Sequence, residues 1–193
     1  MNKLAPADLY TLEAYARERD AFRARVLAHK QARVMRLGEN MTCVFEDRLT
    51  VQYQIQEILR VERIFEPAGI AEELEAYNPL IPDGRNLKAT MLIEYPDAAQ
   101  RAVRLVELHG VERRVQLHVG GTAPVVAIAD EDLSRSTDTK TSAVHFLRFE
   151  FAPDQIAAWR AGAEVTLSVD HPTYSASTVL DAGARAALGA DFD

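Results

Sequence analysis

Apolar residues recur along this chain with two different periods, and the change falls near Gly84. Before it the spacing is helical, apart from one short hairpin. Leu9, Leu12 and Tyr15, preceded by Pro6 and Asp8, predict a helix over 6–16. Phe22, Val26, Leu27 and His29 among Arg and Lys predict a second over 19–33. Residues 33–37 and 41–45 flank Gly38-Glu39-Asn40 and read as a short hairpin. From Asp47 to about Phe65 there is neither Gly nor Pro. Val51, Ile55, Ile58, Val61 and Phe65 fall there on one stripe of a longer helix, which Pro67 and Gly69 end. A shorter helix, about 70–77, leads into Asn78-Pro79-Leu80-Ile81-Pro82-Asp83-Gly84, whose prolines and Pro-Asp-Gly turn predict an ordered loop.

Beyond that loop the period becomes two. Strands are predicted over 87–95, 114–119, 122–129, 142–151 and 164–170, with helices over 96–108, 154–160 and about 178–189. Gly120-Gly121 joins two of the strands as a hairpin, and Pro124 places its second arm at a sheet edge. Helices first, then strands with short helical connections, predict one α+β domain over 1–193. Its N-terminal helices pack on one face of a mainly antiparallel sheet. No repeat, low-complexity tract or linker divides the chain.

Several polar residues interrupt the apolar faces, and these carry the candidate chemistry. Asp47, Gln54 and Glu62 lie on the stripe of the long helix. Asp47 is placed to cap the helix, but Glu62 projects between Val51 and Ile55, where a carboxylate needs a partner, a proton or a metal. Alternation in 142–151 puts His145 with Leu147, Phe149 and Phe151, and alternation in 164–171 puts His171 with Val165, Leu167 and Val169. His118 falls on a polar face, and His29 and His109 near helix ends.

One expectation is therefore a site between helix 47–66 and the sheet, with Glu62, His145 and His171 as metal ligands and Gln54 orienting them. Two imidazoles and a carboxylate suit non-haem iron, and also zinc or manganese. The ordinary alternative makes both histidines partly buried and hydrogen-bonded to backbone or a carboxylate, with Glu62 in an ion pair. A third is a metal-free acid–base pair of Glu62 with either histidine.

Composition narrows the class further. At 193 residues and 48% hydrophobic, the chain supports a core and is not disordered. No apolar run nears the roughly 18 residues of a membrane span. Asp8 and Glu13 interrupt the first residues, so no secretory signal is expected and the expected location is cytoplasmic. A net charge of −7 argues against nucleic acid and anionic membranes as partners. Lone Cys43, in a predicted strand, excludes an internal disulfide and reads as a buried, inert thiol. Neither a Gly-x-Ser-x-Gly elbow nor a Gly-x-Gly-x-x-Gly turn is present. The hydroxyl-rich stretch from Ser136 to Ser142 lacks phosphate-loop glycines and reads as a solvated loop.

Longer strings carry a resemblance over nearly the whole chain. They are Phe45-Glu46-Asp47-Arg48-Leu49-Thr50-Val51-Gln52-Tyr53-Gln54-Ile55-Gln56-Glu57, Tyr77-Asn78-Pro79-Leu80-Ile81-Pro82, Lys140-Thr141-Ser142-Ala143-Val144-His145-Phe146-Leu147-Arg148-Phe149 and Asp170-His171-Pro172. The chain resembles an uncharacterised bacterial domain-of-unknown-function family, often encoded beside rubrerythrin-like and iron–sulfur oxidoreductase genes. The resemblance implies no activity and no site residues. It implies a context of iron redox or peroxide defence. Two functions are thus expected: a small ligand- or metal-binding protein, or a non-catalytic accessory protein that docks on an oxidoreductase through 77–84 and 131–141.

Overall fold

The structure, a computed structural model, describes residues 2–193. After a 3-10 turn at Pro6–Asp8 comes a single helix, α1 (Leu12–Lys30), capped by Thr11. The two helices expected here are one, because no Gly or Pro interrupts Ala16-Arg17-Glu18-Arg19. Strands β1 (Val34–Leu37) and β2 (Met41–Glu46) form the expected hairpin. Gly38 turns it at φ 69°, where a Cβ would meet the Tyr174 hydroxyl at 2.6 Å.

Helix α2 (Arg48–Glu62) starts where Asp47 accepts a hydrogen bond from the Thr50 amide at 2.9 Å. It stops at Arg63, which takes a left-handed φ of 58°. Pro67 opens helix α3 (Pro67–Tyr77) as its first residue instead of only ending α2. The stripe therefore ends early, and Val61 and Phe65 are 65% and 67% exposed.

The second part contains β3 (Asn86–Ile93), α4 (Ala98–Glu107), β4 (Val115–Val119), β5 (Val125–Val126), β6 (Ile128–Ala129) and β7 (Val144–Glu150). It closes with α5 (Pro153–Arg160), β8 (Val165–His171), β9 (Tyr174–Val179) and α6 (Ala182–Gly189). The class is α+β, as expected, but the strands build two antiparallel sheets. One has the order β1-β2-β3-β7-β6, the other β5-β4-β8-β9. The arm expected over 122–129 divides between them. Val126 pairs with Gln116 in one sheet and Ile128 with Arg148 in the other. Strand β9 was not expected, because Ser175, Ser177 and Thr178 give it little apolar alternation.

The two sheets share one core. Cys43, Met91 and His145 stand in one cross-strand row, and Phe45, Ala89 and Leu147 in the next. They pack with Val115, Leu117, Leu167 and Val169 of the other sheet and with Trp159 of α5. The N-terminal helices pack on the opposite face of the five-stranded sheet, where α3 stands across from Lys88, Phe146 and Arg148. They keep apolar clusters of their own, around Val51, Ile55 and Leu74 and around Tyr15, Phe22 and Val26.

Candidate functional site

Strand alternation carries His145 to the inner face of β7, where it is fully buried. Its Nδ1 lies 2.6 Å from Asp130 Oδ2, and its Nε2 lies 2.8 Å from Thr141 Oγ1 and 3.1 Å from the Ser142 carbonyl. Thr141 donates to Glu112 at 3.1 Å, and Ser136 reaches the same carboxylate at 3.3 Å. Asp130, at a left-handed φ of 53°, also accepts from the Phe146 amide and from Arg135. One ring thus ties together both ends of the 131–141 loop.

The order Asp130, His145, Thr141 is that of a nucleophile–base–acid relay, but Thr141 is 1% exposed and no substrate reaches it. Asp130 and the Ser142 carbonyl are acceptors. Thr141 donates its hydroxyl hydrogen to Glu112, so its oxygen is also open to accept from the ring. The network holds a loop in place.

The other expected ligands lie in separate surroundings. His171, at the end of β8, bonds Thr173 through Nδ1 and the His109 carbonyl through Nε2, closing the C-terminal side of α4. Glu62 is the exposed last residue of α2. Neither imidazole bonds the other or Glu62, so the expected iron, zinc or manganese triad is not assembled. Among the described residues, no group of three or more His, Cys, Asp or Glu side chains is arranged to hold a metal ion. Gln54 does not orient a histidine: its side chain hydrogen-bonds Tyr77. Cys43 is buried as expected, and burial pushes its thiol up to about 12.

Gln54 and Glu62 line a groove on α2 with Tyr53 and Ile58, and touch on a second cleft only through Tyr77 and Glu73. A cleft of about 410 Å³ opens between α3 and the outer face of the five-stranded sheet. Tyr77, Pro79 and Leu80 form one wall, Lys88, Phe146 and Arg148 the floor, and Glu131, Asp132 and Arg135 the far side. The anchored loop therefore supplies one wall. Arg135 lies over the Phe146 ring, 4.3 Å from its centroid, and is bound to Asp132 by two hydrogen bonds. That pairing holds the Asp132 carboxyl down at about 2. Arg148 is held bidentately by Glu131, 2.8 Å at each contact, and also by Glu150.

Lys88 differs from both arginines. Half-buried, it makes no hydrogen bond and no ion pair among the described residues. Burial, then the nearby Arg148, lowers its pKa against the pull of Glu131, Asp83 and Glu150. Glu73 lines the same cleft, and burial followed by Glu62 and Glu72 raises its carboxyl pKa. In sequence Lys88 resembles any outward lysine of a half-buried strand; only α3 crossing above it makes the position special.

The whole of this architecture recurs in solved structure. A crystal structure of a novel protein of unknown function from Burkholderia pseudomallei K96243 is 49% identical, with a TM-score of 0.95 and 100% of both chains covered. Residues 3–192 match the model of a family described as protein of unknown function, DUF3501. The chain belongs to the DUF3501 family. No curated protein matches it. Within the described part of this DUF3501 chain, no helix is long and apolar enough to cross a membrane.

Proposed function

We propose that the protein binds a small molecule in the cleft between α3 and the five-stranded sheet. The ligand carries an apolar or aromatic body for Tyr77, Leu80 and Phe146 and a hydrogen-bond-accepting polar group for Lys88. The observation that supports this reading is the state of Lys88. It is a half-buried cation with no carboxylate partner among the described residues, on the floor of the cleft, whereas both neighbouring arginines are already held by carboxylates. A cation with no protein acceptor is open to a ligand, and a ligand carboxylate there gains a charge-assisted hydrogen bond.

4-Hydroxybenzoate is a suitable reporter, having one aromatic ring and one carboxylate. Calorimetric titration is expected to give a Kd of about 1 mM or tighter, as suits so small a ligand. Lys88→Met is expected to weaken binding about tenfold or more, the worth of a hydrogen bond to a charged group. Absence of binding, or equal binding by Lys88→Met, contradicts the proposal.

A further inference from the structure

We propose that Lys88 captures carbonyl compounds covalently, as an imine, with Glu73 as the proton carrier in the same cleft. The inference rests on the ligand reading above and names the ligand's class: a small aldehyde or ketone with an apolar or aromatic body.

Imine formation needs an amine that is free to lose its proton, an acid that keeps one, and a partly dry place for both. Among the described residues Lys88 has no carboxylate ion pair to fix its charge, unlike Arg135 and Arg148, which line the same cleft. Among the described residues Glu73 has no cation partner either; its charged neighbours are Glu62 and Glu72. Burial and those neighbours favour the protonated carboxyl, while burial and Arg148 favour the neutral amine of Lys88 against the opposing pull of Glu131, Asp83 and Glu150. Two groups whose surroundings push their protons in opposite directions thus line one cleft. Tyr77, Phe146 and Leu80 supply the apolar surface that positions the carbonyl compound and limits water.

In the step itself, Lys88 first releases its proton to solvent, and the Nζ lone pair then attacks the carbonyl carbon. The C–N bond forms as the C–O π pair moves to oxygen. Glu73 gives that oxygen a proton and recovers one from the new ammonium nitrogen, which leaves a carbinolamine. A second proton from Glu73 then allows the C–OH bond to break and water to leave. The nitrogen lone pair closes the C=N bond of a protonated imine, with Glu73 ionised. Nothing is oxidised or reduced, and the reverse sequence returns the carbonyl compound.

The chain is well suited to a direct test, because its lysines are Lys3, Lys30, Lys88 and Lys140. Lys3 is engaged with the carbonyls of Asn78 and Ile81, and Lys140 is fully outside the cleft as an exposed reference. Incubation with 4-hydroxybenzaldehyde and sodium cyanoborohydride converts each imine into a stable hydroxybenzyl amine, which peptide mass mapping locates. Label is expected on Lys88 at least about ten times faster than on Lys140, consistent with an activated amine. Lys88→Arg is expected to abolish that label while keeping the charge. Glu73→Gln is expected to slow labelling about tenfold or more without changing its final extent, the mark of a proton carrier. Equal labelling of Lys88 and Lys140, or an unchanged rate in Glu73→Gln, overturns the inference. If 4-hydroxybenzoate binds but the aldehyde leaves Lys88 unlabelled, imine capture alone falls. If neither occurs, the ligand reading falls with it.

Discussion

His145→Ala is expected to cost about 3–5 kcal/mol of stability, the loss typical of truncating a large buried side chain and leaving its hydrogen-bond partners unsatisfied. The imidazole is the common partner of Asp130, Thr141 and the Ser142 carbonyl, and Glu112 lies 4.0 Å from its Nε2. Without the ring, Asp130 loses its 2.6 Å partner, Thr141 loses one side of its hydroxyl, and a hole opens beside Met91 in the core row. The damage should be local as well as global. Urea denaturation measures the total, and hydrogen exchange of the 131–141 amides measures the release of the loop, which is otherwise held by bonds such as Thr141 N to the Leu105 carbonyl. A loss below about 1 kcal/mol, the worth of one ordinary hydrogen bond, contradicts the staple role. Because Glu131, Asp132 and Arg135 belong to that loop, ligand affinity should fall along with protection.

That a histidine would be buried on β7 was legible from alternation with Leu147 and Phe149; what it would bond was not. Asp130 and Glu112 reach it from a loop and a 3-10 turn far away in sequence, and no local period encodes such a meeting. Alternation grouped His171 with Val165, Leu167 and Val169, yet β8 ends there and the ring turns to the end of α4. Glu62 failed for a different reason. A helical projection treats every residue as lying mid-helix, whereas Arg63 ends α2 immediately after it and leaves the position open to water. The class and most elements could be read because helical and strand periods are local. The second sheet could not, since the chain crosses between sheets within the few residues from Val126 to Ile128. The 77–84 and 131–141 segments, expected as contact surface, do flank one feature: residues of both line the cleft.

Arg33→Met is expected to be comparably damaging, at about 3–5 kcal/mol near neutral pH. Arg33 is 1% exposed and holds three parts of the fold together. It donates to the Phe45 carbonyl at 3.2 Å, to the Ala187 carbonyl at 2.9 Å and to the Asp191 carboxylate. Its Nε also lies 3.5 Å from Asp47, the cap of α2, which His29 contacts at 2.5 Å. Methionine fills much of the space but leaves Asp191 buried without its cation.

The pH dependence of this cluster has a definite sign. Burial pushes the Asp191 carboxyl from 3.8 up to about 6, and Arg33 only partly opposes it. A carboxyl that holds its proton more tightly when folded contributes stability that is fully present below 3.8 and is lost as pH rises through about 6. The difference is worth about 3 kcal/mol at about 1.4 kcal/mol per pKa unit. Asp47 acts in the other direction: its pKa is lowered, so its contribution is lost only below 3.8 as it becomes protonated. Between pH 4 and 6, wild-type stability should therefore decline relative to Asp191→Asn. A constant difference across that interval, measured by urea denaturation, contradicts this reading.

Where the ligand sits can be read residue by residue from an amide NMR titration with 4-hydroxybenzoate. Saturable shifts are expected at Tyr77, Leu80, Lys88 and Phe146, and are expected to be lost in Lys88→Met. Shifts confined instead to the α2 groove around Tyr53, Ile58 and Glu62, or no saturable shifts at all, would contradict this placement.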